Sequence, residues 1–288
     1  MTVAVQDGFL QIFDVDHGQC ALLTIPTLAG TKRVLIDCGH AANFLGPGKP
    51  WYPGQHLETL GVKWIDLLIA TNYDEDHMSG FPDLLKRKIG IGCILGNPTV
   101  APETIVNLKT KDGMGDGIKA LAQVLAIRRN MQWAQLPPLI PGMDLSYFWN
   151  PWPHFEDENN LSLVTHLNIL GIKFLFPGDM ECRGFENMLR TFPPFRNTVA
   201  SVNVLVASHH GRENGICPEM FDTYGCNPDL VVISDDYKKY DTQETTGYYS
   251  RKAKGIRWFR NGGARFVLTT RSDKEIRFSF RNSSCLVW

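Results

Sequence analysis

The sequence predicts an α/β protein in which two β-sheets pack face to face and carry helices on their outer surfaces. Short apolar runs, each followed by polar residues, recur in both halves of the chain, and segments with helical spacing separate them. The 288 residues are 43% hydrophobic and 20% charged, which is ordinary for a globular protein with a large core. Alternating strands and helices of this kind favour a layered architecture.

The first half of the chain contains four predicted strands and one short predicted helix. Continuous apolar runs predict the strands, at 8–15, 20–26, 33–39 and 64–70. The letters "DHGQ" between the first two strands indicate a hairpin-like turn. The helix is predicted over 81–88, where Pro82 suits a first helical turn.

The segment 99–150 is the least regular part of the sequence. Ile118, Leu121 and Val124 follow a helical spacing, which predicts a helix that "LPPLIPG" ends. Two interpretations stay open: an insertion or lid over a nearby site, or an ordinary packing helix. In either case we expect one domain over 1–288.

The second half repeats the pattern of the first. Two strands at 161–169 and 172–178 are predicted to form a hairpin that turns at Gly171. Buried strands follow at 202–208 and 228–234, and "RFVLTT" with "KEIRFSF" predicts a final hairpin.

Charge, cysteines and hydropathy narrow the class of protein. The net charge of −1 gives no global field toward nucleic acid or membrane, so an anion-binding surface must be local. The seven cysteines are scattered and form no C-x-x-C pair, which is typical of reduced thiols in a cytosol. With no signal-peptide pattern and no apolar run of about 18 residues, we expect a cytoplasmic protein without membrane spans.

Three predicted strands end in side chains of the kind that bind metal ions. These residues come from "TNYDEDH", "FPGDME" and "ASHHG", and they are Asp74, Asp76, His77, Asp179, His209 and His210. Loops at strand ends are where rigid scaffolds place reactive groups. Carboxylates at this density repel each other unless cations neutralise them, so the pattern predicts a divalent metal site.

These motifs, in this order, resemble those of the metallo-β-lactamase superfamily, above all the soluble hydrolase domain of ComEC-type DNA-uptake proteins. The matching stretches span 9–235 and read "FDVDHGQCALL", "VLIDCG", "TNYDEDHMSG", "NNLSLV", "FPGDME" and "HHGR". The resemblance implies an αββα sandwich of two mixed sheets with outer helices, and a metal site at one edge of the sheets.

The resemblance also implies a ligand set, with one departure. Asp76, His77 and His209 would hold one ion, and Asp179 would bridge to a second ion at Asp74, with Asn72 as a further candidate ligand of that second ion. Asn72 stands where the family has its first histidine, and an amide oxygen is a poor ligand beside imidazole. Which of His209 and His210 binds metal is not fixed by the sequence.

A charge count favours two divalent ions. Three carboxylates, those of Asp74, Asp76 and Asp179, would be neutralised by two divalent cations and one hydroxide. The oxygen-rich donor set favours Mn²⁺ or Mg²⁺, and Zn²⁺ stays an alternative. Asp37 is interpreted as a structural tether near the site, and His17 is assigned a non-ligand role.

The function implied by the resemblance is a metal-dependent hydrolase, in first place a phosphodiesterase or nuclease that acts on DNA through a metal-activated hydroxide. The expected catalytic residues are Asp76, His77 and His210, of which His210 would protonate the leaving oxygen or bind the phosphate. One alternative is a hydrolase of small esters, lactones or cyclic nucleotides. Another is a catalytically degraded binding partner.

A basic run near the carboxyl end bears on the substrate. Between Glu244 and Asp273 there is no acid, and aromatic residues alternate with seven bases, Arg251, Lys252, Lys254, Arg257, Arg260, Arg265 and Arg271. Such a run suits single-stranded nucleic acid, and a solvated helix face explains it equally well. The predicted substrate-binding residues are Lys238, Lys239, Tyr240 and Arg257, with DNA as the expected partner; a protein partner from the same operon stays open.

Overall fold

The computed structural model describes residues 7–43, 48–110, 113–131, 136–235, 241–257, 259–260, 262–281 and 284–288. Two mixed β-sheets pack face to face, and helices cover the outer face of each sheet. The predicted fold class, an αββα sandwich, is therefore confirmed.

The first sheet has seven strands in the order β13-β12-β1-β2-β3-β4-β5. Their bounds are β1 Asp7–Ile12, β2 Ala21–Thr27, β3 Gly30–Ile36, β4 Trp64–Ile69, β5 Gly90–Leu95, β12 Ile276–Arg281 and β13 Ser284–Val287. β3, β4 and β5 run parallel, and the other neighbours are antiparallel. The predicted hairpin of the first two strands is present as β1 and β2.

The second sheet has six strands in the order β11-β10-β9-β8-β7-β6. Their bounds are β6 Met143–Phe148, β7 Val164–Ile169, β8 Ile172–Phe176, β9 Val204–Val206, β10 Leu230–Ile233 and β11 Val267–Thr269. β8 to β11 are parallel, whereas β6, β7 and β8 are antiparallel. The β7–β8 hairpin turns at Leu170 and Gly171, both at positive φ, as a tight two-residue turn requires.

Ten α-helices lie in the described ranges. They are α1 Pro53–Thr59, α2 Glu75–Met78, α3 Phe81–Lys86, α4 Pro102–Leu108, α5 Asp116–Asn130, α6 Cys182–Thr191, α7 Pro193–Val199, α8 Pro218–Asp222, α9 Thr246–Lys252 and α10 Thr270–Asp273. α1, α3, α4 and α5 share a buried apolar cluster with the first sheet, and α6 to α9 share another with the second. None of these helices is both long enough and apolar enough to cross a bilayer.

The main core lies between the two sheets. Phe174 of β8 is fully buried there, and its ring contacts those of Phe278 and Phe280 on β12, with centroids 5.0 and 5.9 Å away. Along β12, buried and partly exposed residues alternate, which is the period of a strand with one face on a core. The sheets are thus joined by interdigitating side chains.

The irregular segment 99–150 contributes to both halves of the sandwich. The predicted helix is present as α5, which packs against α2, α3 and α4, with Ile118 and Leu121 buried. The same segment continues into β6, which pairs with β7 at the edge of the second sheet.

The predicted final hairpin is wrong. β11 pairs with β10 in the second sheet, whereas β12 pairs with β1 in the first sheet and forms its hairpin with β13. The chain changes sheets through α10, where the side chain of Thr269 accepts a hydrogen bond from the backbone of Ser272. Strand patterning identifies a strand but not its partner, because two neighbouring strands in the sequence pair only if the turn between them allows it.

The carboxyl ends of four strands carry the loops with the predicted site residues. Asp37 follows β3, the stretch 71–77 follows β4, Asp179 follows β8, and His209 and His210 follow β9. Parallel strands direct these ends to the same edge, where open α/β sheets bind ligands.

Candidate metal centre

Four side chains converge at this edge of the sandwich. Asp76, His77, Asp179 and His210 each offer one ligand atom, and all four atoms lie within 4.8 Å of one another. Three of the residues are buried, whereas 30% of the Asp76 side chain is exposed. Behind them is a cavity of about 10 Å³, room for about one water molecule. Of these four residues, Asp76 is the one whose side chain reaches solvent.

His77 is fixed between two carboxylates. Its Nδ1 atom lies 2.9 Å from Oδ2 of Asp37, and its Nε2 atom lies 3.0 Å from Oδ1 of Asp179. Asp37 is itself fixed by the backbone N–H and hydroxyl of Thr71, at 2.8 and 2.5 Å. A carboxylate on one ring nitrogen directs the other nitrogen into the centre, as in many metal sites. The tether predicted for Asp37 is thus a direct contact with a candidate ligand.

His210 is oriented from the opposite side. Its Nδ1 atom donates a hydrogen bond to the carbonyl of Ser234 at 3.0 Å, which leaves Nε2 facing Asp76 at 3.2 Å and Asp179 at 3.5 Å. His209 and His210 both have φ of 52°, a left-handed backbone that non-glycine residues rarely adopt. Strain of this kind persists where the surrounding structure enforces it, and it is frequent at functional sites.

The charges in the centre are strongly coupled. Burial by itself would raise the pKa of Asp179, but the imidazoles of His77 and His210 outweigh burial and lower it. Burial would likewise lower the pKa of His77, yet the carboxylates of Asp179 and Asp37 hold it well above its usual value. The carboxylates and imidazoles thus favour each other's charged forms. Two carboxylates and two imidazoles are also a donor set that fits a divalent transition metal.

His209, predicted as a ligand, lies beside the four converging residues and is not one of them. Its Nε2 atom is 3.9 Å from Oδ2 of Asp179 and accepts a hydrogen bond from Nη1 of Arg212 at 3.0 Å. Nη2 of Arg212 donates to Nε2 of His17 at 3.2 Å. Arg212 directly follows the "HHG" motif, and no ligand-like spacing in the sequence marks it as part of the site.

Asn72 is fully buried, and its side-chain amide forms hydrogen bonds within the loops around the centre. Its Oδ1 atom accepts a hydrogen bond from the backbone N–H of Asp74 at 2.8 Å, and its Nδ2 atom donates to Oγ of Ser162 at 3.1 Å. The same hydroxyl accepts from the backbone N–H of Asp179 at 3.2 Å. Asn72 therefore connects the two ligand-bearing loops through Ser162.

Asp74 contacts an ammonium group that the sequence analysis missed. Lys109, the residue after α4, donates from Nζ to Oδ1 of Asp74 and to Oε1 of Glu158, the latter at 2.6 Å. Only 6% of its side chain is exposed. Burial would lower the pKa of Lys109, but the two carboxylates outweigh burial and raise it. No ligand-like spacing in "NLKTKDG" indicates this role.

Of the four predicted substrate-binding residues, the structure describes Arg257. Lys238, Lys239 and Tyr240 lie outside the described residues, and Arg257 is exposed. Four bases of the run form ion pairs, namely Lys252–Asp222, Lys254–Asp229, Arg265–Asp273 and Arg271–Asp235. Tyr249 and Phe259, two of the interleaved aromatic residues, are buried. Much of the run is therefore engaged in contacts within the chain.

The chain is similar in sequence to one part of a longer protein. It is 25% identical over 243 residues to ComE operon protein 3 of Bacillus subtilis (strain 168), a match that covers 79% of this chain and 28% of that protein. The resemblance predicted from the motifs is confirmed by this match. No protein-family model matches the chain.

Solved structures with a related arrangement have lower similarity. CmlA, a diiron β-hydroxylase from Streptomyces venezuelae, matches with a TM-score of 0.49 and 14% identity over 97% of this chain and 55% of its own. A diphosphatase from the PhnP family matches with a TM-score of 0.42 and 9% identity over 96% of this chain and 99% of its own.

Proposed function

We propose that this chain is a metal-dependent phosphodiesterase that cleaves DNA. The observation that carries the proposal is the convergence of Asp76, His77, Asp179 and His210 within 4.8 Å at the carboxyl edge of the strands. The likeness to the ComEC-type domain supports DNA as the substrate, and the donor set supports hydrolysis at a divalent cation.

In the proposed mechanism four side chains hold a cation, and two further groups orient the histidines among them. Asp76, His77, Asp179 and His210 hold the cation, with Mn²⁺ or Mg²⁺ preferred and Zn²⁺ as an alternative. A cation bound there would polarise a water molecule and the phosphoryl oxygen of the substrate. The carboxylate of Asp37 contacts Nδ1 of His77, and the carbonyl of Ser234 accepts a hydrogen bond from Nδ1 of His210. These contacts keep the Nε2 atoms of both imidazoles in the orientation that binds metal.

Arg212 is the proposed contact for the scissile phosphate. Its guanidinium lies between His209 and His17, next to the candidate ligands. A planar guanidinium binds phosphate through two parallel hydrogen bonds, so this position suits the substrate side of the centre. We propose that exposed Arg257, with Lys238, Lys239 and Tyr240, extends the contact along the nucleic acid backbone.

The proposal is tested by incubating the purified chain with linear single-stranded and double-stranded DNA and Mn²⁺, Mg²⁺ or Zn²⁺. We expect cleavage that Asp76→Asn reduces by about 100-fold or more, since the cation supplies several kcal/mol of charge stabilisation. Asp144→Asn, a change of the same kind at an exposed carboxylate on edge strand β6 that pairs with no base among the described residues, serves as the control. Metal binding without cleavage of any DNA would contradict the proposal.

A second candidate is the hydrolysis of a small phosphodiester, such as a cyclic nucleotide. It is favoured by the ion pairs that occupy four bases of the basic run, which leave less positive surface for a polymer. Comparing DNA with bis(p-nitrophenyl) phosphate separates the candidates. Charge reversal by Arg257→Glu should weaken cleavage of DNA only, if DNA is the substrate.

A further inference from the structure

The place at which the resemblance predicts a second cation already contains a positive charge of the chain itself. The expected residues there are Asp74, Asp179 and Asn72. Asp74 instead holds Nζ of Lys109, and it is not one of the four residues whose ligand atoms converge in the described ranges. The amide oxygen of Asn72 is engaged by the Asp74 backbone.

Lys109 is held in this position from two sides. Its Nζ atom bridges the carboxylates of Asp74 and Glu158, which come from loops 84 residues apart in the sequence. Its backbone N–H donates to the carbonyl of Ile105 at 3.3 Å, in the last turn of α4. With 6% of the side chain exposed, the ammonium has little room to move aside.

We propose that the centre holds a single divalent cation, and that the ammonium group of Lys109 permanently takes the place of a second. This inference rests on the proposed function, because it assumes the metal-binding role of Asp76, His77, Asp179 and His210. A second divalent cation on Asp74 would compete for the oxygen that Lys109 contacts, and like charges in a buried site repel strongly.

The segment 99–150 gains a specific role from this assignment. Lys109 directly follows α4, and α4 packs against α5, so the irregular segment supplies one charged group to the centre. Asn72 fits the same interpretation, since an amide at the usual histidine position gives a second cation a weaker ligand beside an ammonium.

The test is the number of Mn²⁺ ions bound per chain, measured by calorimetric titration and by elemental analysis after gel filtration. We expect one equivalent for the wild-type protein and two for Lys109→Met, which frees both Asp74 and Glu158. Lys119→Met, which removes an exposed lysine from α5, should still bind one. The double variant Lys109→Met/Asp74→Asn should return to one equivalent, because the second site loses its carboxylate.

Electron paramagnetic resonance of the wild-type protein gives an answer that does not depend on the folding of a variant. At saturating Mn²⁺ we expect the six-line spectrum of an isolated ion, whereas two coupled ions would contradict the inference. Binding of one Mn²⁺ ion per chain by a correctly folded Lys109→Met variant would also contradict the inference, because a group other than Lys109 would then exclude the second ion.

Failure of this inference is distinct from failure of the proposed function. Two equivalents in the wild-type protein, with DNA cleavage intact, would overturn the single-cation centre alone. No bound equivalent in the wild-type protein would overturn both.

Discussion

The carboxylate of Asp37 lies 2.9 Å from Nδ1 of His77, and both side chains are almost completely buried. This pair joins the end of β3 to the loop after β4, and it turns the other ring nitrogen toward Asp179. The orientation of a candidate ligand thus depends on a residue that does not reach the centre itself.

Asp37→Asn should weaken metal binding by about 10- to 100-fold, because an amide no longer holds the His77 ring as a charged acceptor. The measurement is a titration with Mn²⁺ at fixed pH. Asp66→Asn is the matched control. Like Asp37, Asp66 accepts a hydrogen bond from a backbone N–H, and its second donor is the ammonium group of Lys32, on the first sheet away from the centre. Equal affinities of the Asp37 variant and the wild-type protein would show that the contact does not position the ligand.

His210→Ala should reduce metal affinity by more than about 100-fold, since loss of a ligand should exceed loss of a residue that only orients one. His209→Ala should retain the wild-type affinity within about 10-fold, because Nε2 of His209 accepts from Arg212. The two variants are well matched, as both start from the same left-handed backbone and alanine meets a similar strain in each. The reverse order of affinities would assign the ligand role to His209.

Gly39→Ala should destabilise the fold by about 1–3 kcal/mol, the usual cost of overpacking. A Cβ atom at Gly39 would clash with the backbone carbonyl oxygen of Asp76. Relieving the clash would displace the backbone of Asp76, which is a candidate ligand. Urea denaturation measures the change. Gly263→Ala, where a Cβ atom meets nothing within 4 Å, should stay within about 0.5 kcal/mol of the wild-type protein.

Mn²⁺ should stabilise the wild-type protein against thermal unfolding, because it binds the converged folded site and not the unfolded chain. At a free concentration of 100 times the dissociation constant, the gain is about 2.7 kcal/mol. A chelator should remove this gain, and Asp179→Asn should show none. Stabilisation of that variant to the same extent would place the bound ion elsewhere.

The sequence alone determined the layered class of the fold and most of the strands, because the burial of a strand is recorded in local apolar runs such as those of β4 and β10. It also marked Asp76, His77 and Asp179 as candidate ligands, since their motifs are contiguous and stand at strand ends. It did not determine the partner of the last strand pair, because pairing depends on the short helix α10 between β11 and β12.

Only the tertiary structure decided which groups meet at the centre. Lys109 is 35 residues from Asp74 in the sequence, and it reaches that carboxylate because α4 packs beside the site. Neighbouring His209 and His210 have different contacts because their backbone turns one ring toward the centre and the other toward Arg212. Local sequence records which side chains are buried, whereas contacts between charged groups from distant segments follow from how helices and sheets pack in three dimensions.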